Sequence, residues 1–289
     1  MQGTVDGFSY GLVTPVVAYL MACLGGALGL RCTTRSMLVD GRWRIGWLVL
    51  GSAAIGSGIW TMHFVAMMGF KVLHTPVQYD PLTTFASLAV AIVMVGIGIF
   101  MVASKGATGA ALFTGGTITG LGIASMHYLG MAGLRLNGTL EYNTLTVAAS
   151  VVIAVVAAIA ALWAAGQVRG FLWSVGASLV MGIAVSGMHY TGMAALSVHL
   201  HSAAAPAPAD GSSSAGLLAP LIIGPLVFLL LAGVVVMFDP FMIMGRFHGN
   251  PVERRPGIPA QATAHTCRHP ESRTGQELRE RSYRTPQNR

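Results

Sequence analysis

The fold of this chain is decided by three near-copies of one stretch: Thr61-Met62-His63-Phe64-Val65-Ala66-Met67, Ser125-Met126-His127-Tyr128-Leu129-Gly130-Met131 and Gly187-Met188-His189-Tyr190-Thr191-Gly192-Met193. Each copy reads Met-His-aromatic, then two residues, then Met. The histidines lie 64 and 62 residues apart, so the chain is built from a repeating unit of that length. The histidine and the second methionine of each copy are four residues apart, which places them on one face of a helix.

Small residues recur at fixed distances from each histidine. Glycine stands seven residues before it in all three copies, and alanine or glycine stands three residues after it: Gly56, Gly120, Gly182, Ala66, Gly130 and Gly192. Small side chains allow membrane helices to approach closely. The pattern therefore predicts tight helix packing around the three histidines.

The composition is that of a membrane protein. Of 289 residues, 54% are apolar and only 9% are charged, against about 25% charged in ordinary globular domains. The three cysteines, Cys23, Cys32 and Cys267, are dispersed and predict no disulfide framework. No basic residue precedes the first apolar run, so no cleaved signal peptide is predicted.

Seven apolar runs are long enough to cross about 30 Å of hydrocarbon as helices. The sequence therefore predicts an all-α membrane protein of seven transmembrane helices, built from an internal repeat of helix pairs, with the motifs on helices 2, 4 and 6. Residues 1–245 form this domain. Residues 246–289 are rich in arginine and proline and are predicted to be a disordered tail. The predicted spans are residues 8–30, 45–70, 82–103, 108–134, 144–165, 171–198 and 217–238.

The distribution of basic residues predicts the orientation. Six loop arginines and lysines fall on the side that also carries the tail, and only Lys71 and Arg135 fall on the other. Because cytoplasmic loops carry the excess of basic residues, we expect the amino terminus outside and the carboxyl terminus in the cytoplasm. All three motifs then lie at one depth, near the outer face of the membrane.

The motif residues suit a metal ion. Imidazole nitrogen binds copper, zinc, iron or nickel, and thioether sulfur favours Cu(I). Carboxylates are absent from the motifs, which disfavours magnesium and calcium, and structural zinc rarely uses methionine. We therefore expect a copper site, with a purely structural histidine cluster and haem ligation as the alternatives. Its candidate ligands are His63, His127, His189, Met67, Met131 and Met193, with Met62, Met126 and Met188 around them.

These residues also carry a family resemblance. Met188-His189-Tyr190-Thr191 is the literal motif of the MHYT domain, a bacterial integral-membrane sensor module, and Met-His-Phe-Val and Met-His-Tyr-Leu are variants of it. The resemblance covers roughly residues 8–245. It implies three motif-bearing helices and a copper site facing the outer side of the bacterial plasma membrane. It also implies sensing of oxygen, carbon monoxide or nitric oxide.

A sensory protein without an activity of its own is the resulting hypothesis. No catalytic signature is present in the sequence, and residues 246–289 are too few for the cyclic-dinucleotide synthase or phosphodiesterase module that family members often carry. The expected partners are the lipid bilayer, a diatomic gas and a separate cytoplasmic signalling protein. Nucleic acid is not expected, because nothing in the sequence would read a base. The competing hypotheses are a copper-handling or transport protein and a haem or copper redox subunit.

Overall fold

Seven long helices make up most of the computed structural model, which describes residues 5–6, 10–72, 77–167, 171–200 and 214–239. Each helix is long and apolar enough to span a membrane, which confirms the seven predicted spans. The chain is a multi-pass membrane protein. Its helices are α1 Val13–Ser36, α2 Gly41–Met68, α3 Pro81–Lys105, α4 Gly109–Ala132, α5 Thr144–Gln167, α6 Phe171–Ala194 and α7 Ser214–Met237.

In the described part of the chain, short strands follow the motif-bearing helices α2, α4 and α6, and one more precedes α1; all of them pair antiparallel. Their pairings are β1 with β2, β3 with β4, and β5 with β6. Helix α6 ends at Ala194, before the predicted residue 198, because the chain from Leu196 onward pairs with β5. The strands are β1 Val5–Asp6, β2 Lys71–Val72, β3 Gln78–Tyr79, β4 Leu134–Arg135, β5 Gly138–Tyr142 and β6 Leu196–Leu200.

The first six helices close into a ring of three helix pairs. Each helix from α1 to α5 packs against the next one, and α6 packs against α1. The motif helices α2, α4 and α6 also touch one another, so they meet at the centre of a pseudo-threefold arrangement. Helix α7 stands outside the ring and packs mainly on α2.

The glycine seven residues before each histidine makes the ring tight, as the sequence predicts. A Cβ added at Gly56 would lie 2.8 Å from the Cα of Ile92 on α3, and one added at Gly120 would lie 2.4 Å from the Cα of Val155 on α5. At these two positions any side chain would collide with the backbone of the neighbouring helix. The repeat therefore encodes contact of α2 with α3 and of α4 with α5, and in the third copy a Cβ added at Gly182 would lie 2.5 Å from Sγ of Cys23 on α1.

A buried ion pair joins α1 to the end of α7, at the end of the bundle away from the motifs. The guanidinium of Arg35 pairs with the carboxylate of Asp239, and both side chains are almost fully buried. Arg35 also lies over the ring of Trp47, 5.7 Å from its centroid. The predicted disordered tail, residues 246–289, lies outside the described residues and stays a prediction.

Candidate metal centre

The three motif histidines meet at the centre of the ring. Each lies five residues before the last residue of its helix, so α2, α4 and α6 present them at the same level. The Nδ1 atom of His63 is 3.0 Å from that of His189 and 3.2 Å from that of His127, and the third distance is 3.3 Å. All three side chains are at most 2% exposed. We call this group the histidine triad.

Hydrogen bonding alone cannot satisfy the triad. A neutral imidazole nitrogen either donates its proton or accepts one. Among three mutually adjacent Nδ1 atoms, any assignment of protons leaves at least one pair of two donors or two acceptors at about 3 Å. A cation between the three atoms would use all three lone pairs at once.

The spacing of the triad suits a metal ion. A point equidistant from the three Nδ1 atoms lies about 1.8 Å from each, close to the metal–imidazole distance of about 2.0–2.1 Å. In the part of the chain that the structure describes, this is the single group of three or more histidine, cysteine or acidic residues able to hold a metal ion. The donor set therefore fits an imidazole-binding transition metal.

Neighbouring residues hold the imidazoles in this orientation. The aromatic residue after each histidine packs edge-on against its ring, with centroids 4.6, 4.8 and 5.0 Å apart for Phe64, Tyr128 and Tyr190. On the other side, a Cβ at Gly130 would lie 2.8 Å from Nε2 of His63, and one at Gly192 would lie 2.5 Å from Nε2 of His127. Each of these glycines makes room for the imidazole of the preceding copy.

The six motif methionines differ in their surroundings. Met67, Met131 and the three that precede the histidines, Met62, Met126 and Met188, are at most 1% exposed. Met193 is only partly buried and packs against the core. The contacts described above join the three histidine rings and include no methionine sulfur. A sulfur ligand from any of these methionines therefore stays a prediction.

The short strands cover the triad, a feature that the sequence analysis missed. Tyr79 of β3 is buried and faces the ring of Phe64 edge-on at 6.2 Å, and burial raises the pKa of its phenol. Tyr142 of β5 packs against Tyr128, which contacts the Ser150 hydroxyl at 2.6 Å. Alternating apolar and polar residues in Leu196–Leu200 were the signal that could have revealed a strand.

An apolar cavity of about 50 Å³ lies on the other side of the triad. Its wall includes the residues four positions before the histidines, Ile59, Ile123 and Val185, and those eight positions before them, Ile55, Thr119 and Met181. Since these positions share the histidine face of each helix, the cavity lies on the pseudo-threefold axis, one to two turns from the triad. We call it the axial cavity.

Comparison with known proteins identifies the repeat. The profile of the MHYT family, described as "Bacterial signalling protein N terminal repeat", matches residues 56–115, 120–178 and 182–239. These segments together make up more than half of the chain, and each begins at the glycine seven residues before a motif histidine. No solved structure matches the chain.

Three curated bacterial proteins are similar to this chain. The bifunctional diguanylate cyclase/cyclic di-GMP phosphodiesterase MucR of Pseudomonas aeruginosa is 40% identical over 65% of the chain and 28% of its own length. The cyclic di-GMP phosphodiesterase NbdA of the same organism is 36% identical over 68% of the chain and 26% of its own length. The signaling protein YkoW of Bacillus subtilis is 30% identical over 66% of the chain and 24% of its own length. The chain thus spans about a quarter of the length of these relatives.

Proposed function

The chain belongs to the MHYT family of bacterial signalling proteins, and from that premise we propose that it is a membrane sensor whose histidine triad binds a copper ion. The observation that carries this proposal is the triangle of Nδ1 atoms, 3.0–3.3 Å on a side, in a core that offers no hydrogen-bonding solution for all three. Bound copper would supply a centre that changes oxidation state or takes a small ligand.

The residues of this chain hold and shield that centre. Nδ1 of His63, His127 and His189 are the nitrogen ligands, and sulfur atoms of Met67, Met131 and Met193 are candidates for further ligands. Met62, Met126 and Met188, which are buried, each precede a triad histidine in the chain and are candidates to shield the ion. The soft nitrogen–sulfur set and the water-poor core favour Cu(I).

The proposed stimulus is a diatomic gas such as oxygen, carbon monoxide or nitric oxide, with redox state or copper itself as the other candidates. The apolar axial cavity beside the triad supports a small uncharged ligand. We propose that the chain does not catalyse a reaction itself. Its signal would pass to a cytoplasmic module or partner, for which the similarity to MucR and NbdA suggests cyclic di-GMP chemistry.

Two other functions fit the interior less well. A copper transporter needs ligands that continue through the membrane, but the three motif helices present Ile59, Ile123 and Val185 directly below the triad. A haem protein needs a cofactor pocket, typically at least about 300 Å³, whereas the axial cavity is about 50 Å³. The interior therefore fits a small ion site better than a transport path or a haem pocket.

Metal analysis of the purified chain after anaerobic Cu(I) loading tests the proposal. We expect about one copper per chain, and a severalfold loss of copper when any one triad histidine is replaced by alanine, because one shared centre loses a ligand. His199→Ala is the matched control. His199 is partly exposed and pairs with Glu141 at 3.2 Å on the β5–β6 hairpin. A chain that keeps all its copper after the triple His63→Ala, His127→Ala and His189→Ala change would refute the site.

A further inference from the structure

The axial cavity suits an apolar molecule better than water. Thr33 and Thr119 are the polar side chains that line it, and both hydroxyl groups donate to backbone carbonyls. Thr33 Oγ1 lies 2.9 Å from the oxygen of Gly29, and Thr119 Oγ1 lies 3.4 Å from that of Met94. A buried water normally needs two to four polar partners, and apolar cavities stay dry and bind xenon or similar molecules.

A second, larger hollow opens between α5 and α6. This groove has a volume of about 750 Å³ and is lined by outward-facing side chains such as Trp173 and Val180, which are 74% and 66% exposed. In a membrane these side chains face lipid. We call it the α5–α6 groove.

Among the residues that the structure describes, three side chains line both spaces. Ala157 and Ala161 of α5 and Met181 of α6 line the axial cavity and also the α5–α6 groove. The wall between lipid and the cavity is therefore one side chain thick at this place. Two of its residues are alanines, and the third is an unbranched methionine, the side chain that most readily changes shape in a core.

The other two helix pairs are closed at the equivalent place. Twelve residues before the histidine, the first two copies have Gly51 and Gly115, whose added Cβ atoms would each lie 3.3 Å from a glycine carbonyl of the paired outer helix. The third copy has Ala177, which lines the α5–α6 groove. The α5–α6 pair lacks that close glycine contact.

Helix α7 provides a second difference between the copies. Ala54 stands nine residues before its histidine, is fully buried, and belongs to the cluster that packs α7 against α1 and α2. Val180 holds the same position in the third copy and is exposed. The face that α7 covers in the first copy is thus open in the third.

We propose that the α5–α6 groove is a lateral portal through which a small, uncharged, apolar molecule passes from the bilayer into the axial cavity, with Met181 as the movable part of the wall. Such molecules concentrate in the hydrocarbon, so a path from lipid supplies the cavity without crossing the polar strands. This proposal rests on the proposed function in one respect: the function explains why a molecule would need to reach a cavity beside the triad. The cavity and its portal need no bound metal.

Xenon is the probe for this test, because it is apolar, chemically inert and of suitable size. In lipid nanodiscs, 129Xe saturation-transfer NMR of the full chain should detect a bound population. Val185→Phe, which fills the cavity, should abolish it, and Ala158→Leu should do the same from α5 if the first variant does not fold. Val180→Phe, which changes only the groove, should leave the bound population in place. A folded wild-type chain that binds no xenon would overturn the proposal.

Exchange kinetics separate a portal from a mere cavity. Met181→Ala should raise the rate of xenon exchange severalfold. Ile55→Ala is the matched control, because Ile55 holds the equivalent position in the first copy and lines the cavity but not the groove. Equal acceleration by both variants would exclude a path through the α5–α6 groove. Copper loading of the wild-type chain distinguishes the two proposals: a wild-type chain that binds xenon but no copper leaves the portal standing and refutes the metal site. In the triple-alanine triad variant, xenon binding should persist although copper binding is lost.

Discussion

At the scale of the residue, the imidazole of His127 shows how a side chain is fixed from two sides. Tyr128, its neighbour in the chain, packs edge-on against the ring at 4.8 Å. Gly192, from the next copy of the motif, lies against Nε2 and leaves no space for a side chain. The ring is therefore held by its own helix and by a contact that depends on the approach of another helix.

Because Gly192 lies against the His127 ring, we expect that one methyl group added at Gly192 lowers both copper content and stability. In Gly192→Ala the new Cβ would lie 2.5 Å from Nε2, so the imidazole must turn away from the other two. We expect a severalfold loss of bound copper and a loss of stability of about 1–3 kcal/mol, typical of an overpacked core. Copper content and thermal unfolding in detergent measure the two effects.

Gly187→Ala on the same helix is the control for that substitution. Nothing lies within 4 Å of a Cβ added there, so copper content should match the wild type. Equal loss of copper in both variants would mean that the close contact at Gly192 does not orient His127.

The sequence predicted the triad but not the atoms that face its centre. Threefold recurrence of His63, His127 and His189 at one depth was enough to infer that the side chains converge. Whether Nδ1 or Nε2 faces the centre depends on which ring edge meets the glycine of a neighbouring helix, and that contact joins residues far apart in the chain. The methionine ligands remain a prediction for the same reason, because a spacing of four residues fixes a helix face and not the direction of a flexible side chain.

At the scale of the element, glycine pairs set the distance between helices. Helices α1 and α2 come close together at Gly25 and Gly58, where a Cβ added at Gly58 would lie 2.6 Å from the Cα of Gly25. Without a hydrophobic driving force between helices in lipid, such close packing is a main source of association. Helices α3 and α4 meet in the same way at Gly98 and Gly115.

Gly58→Ala should therefore separate α1 from α2. The obstacle is backbone, which cannot turn aside as a flexible side chain can, so we expect a loss of at least about 1–3 kcal/mol in stability. Thermal unfolding in detergent is the measurement. Gly46→Ala, on the same helix with nothing within 4 Å of the new Cβ, should change stability by no more than about 1 kcal/mol. Similar losses in both variants would contradict the close contact.

The helices could be predicted from the sequence, whereas the strands, apart from the alternation in Leu196–Leu200, left no local signal. Long apolar runs identify membrane helices almost without regard to their partners. A five-residue strand such as Gly138–Tyr142 is stable only with its partner Leu196–Leu200, and that partner is more than fifty residues away. Polar residues in Gly138–Tyr142 favour a loop, and the apolar run through residue 198 favours a continued helix. The pairing that makes both segments strands is a property of the folded ring.

At the scale of the whole molecule, a repeat of helix pairs forms a ring that is only approximately threefold. The motif helices are equivalent at the histidines and at the glycines seven residues before them, but α7 covers the first pair and leaves the third exposed. The carboxyl-terminal end of α7 is joined to α1 by the buried ion pair of Arg35 and Asp239. The symmetric centre thus suits a shared ion, and the asymmetric exterior gives the pairs different exposure to lipid.

The proposed orientation predicts which surface a membrane-impermeant thiol reagent reaches. Thr139 is exposed on β5 at the motif end, and Ser104 is exposed near the other end of α3. In a background with all three cysteines replaced by alanine, Thr139→Cys should be labelled in intact cells. Ser104→Cys should be labelled only after permeabilisation, because the basic loops favour the cytoplasm. The reverse pattern of labelling would invert the orientation.

X-ray absorption spectroscopy of the Cu(I)-loaded chain tests the triad as a copper site most directly. We predict three nitrogen scatterers at about 2.0 Å with the outer-shell pattern of imidazole, and loss of that signal when the three histidines are replaced by alanine. A sulfur contribution would show that thioether sulfur also binds the ion. A shell of sulfur without imidazole nitrogen, or a spectrum unchanged in the triple variant, would contradict the histidine triad as the copper site.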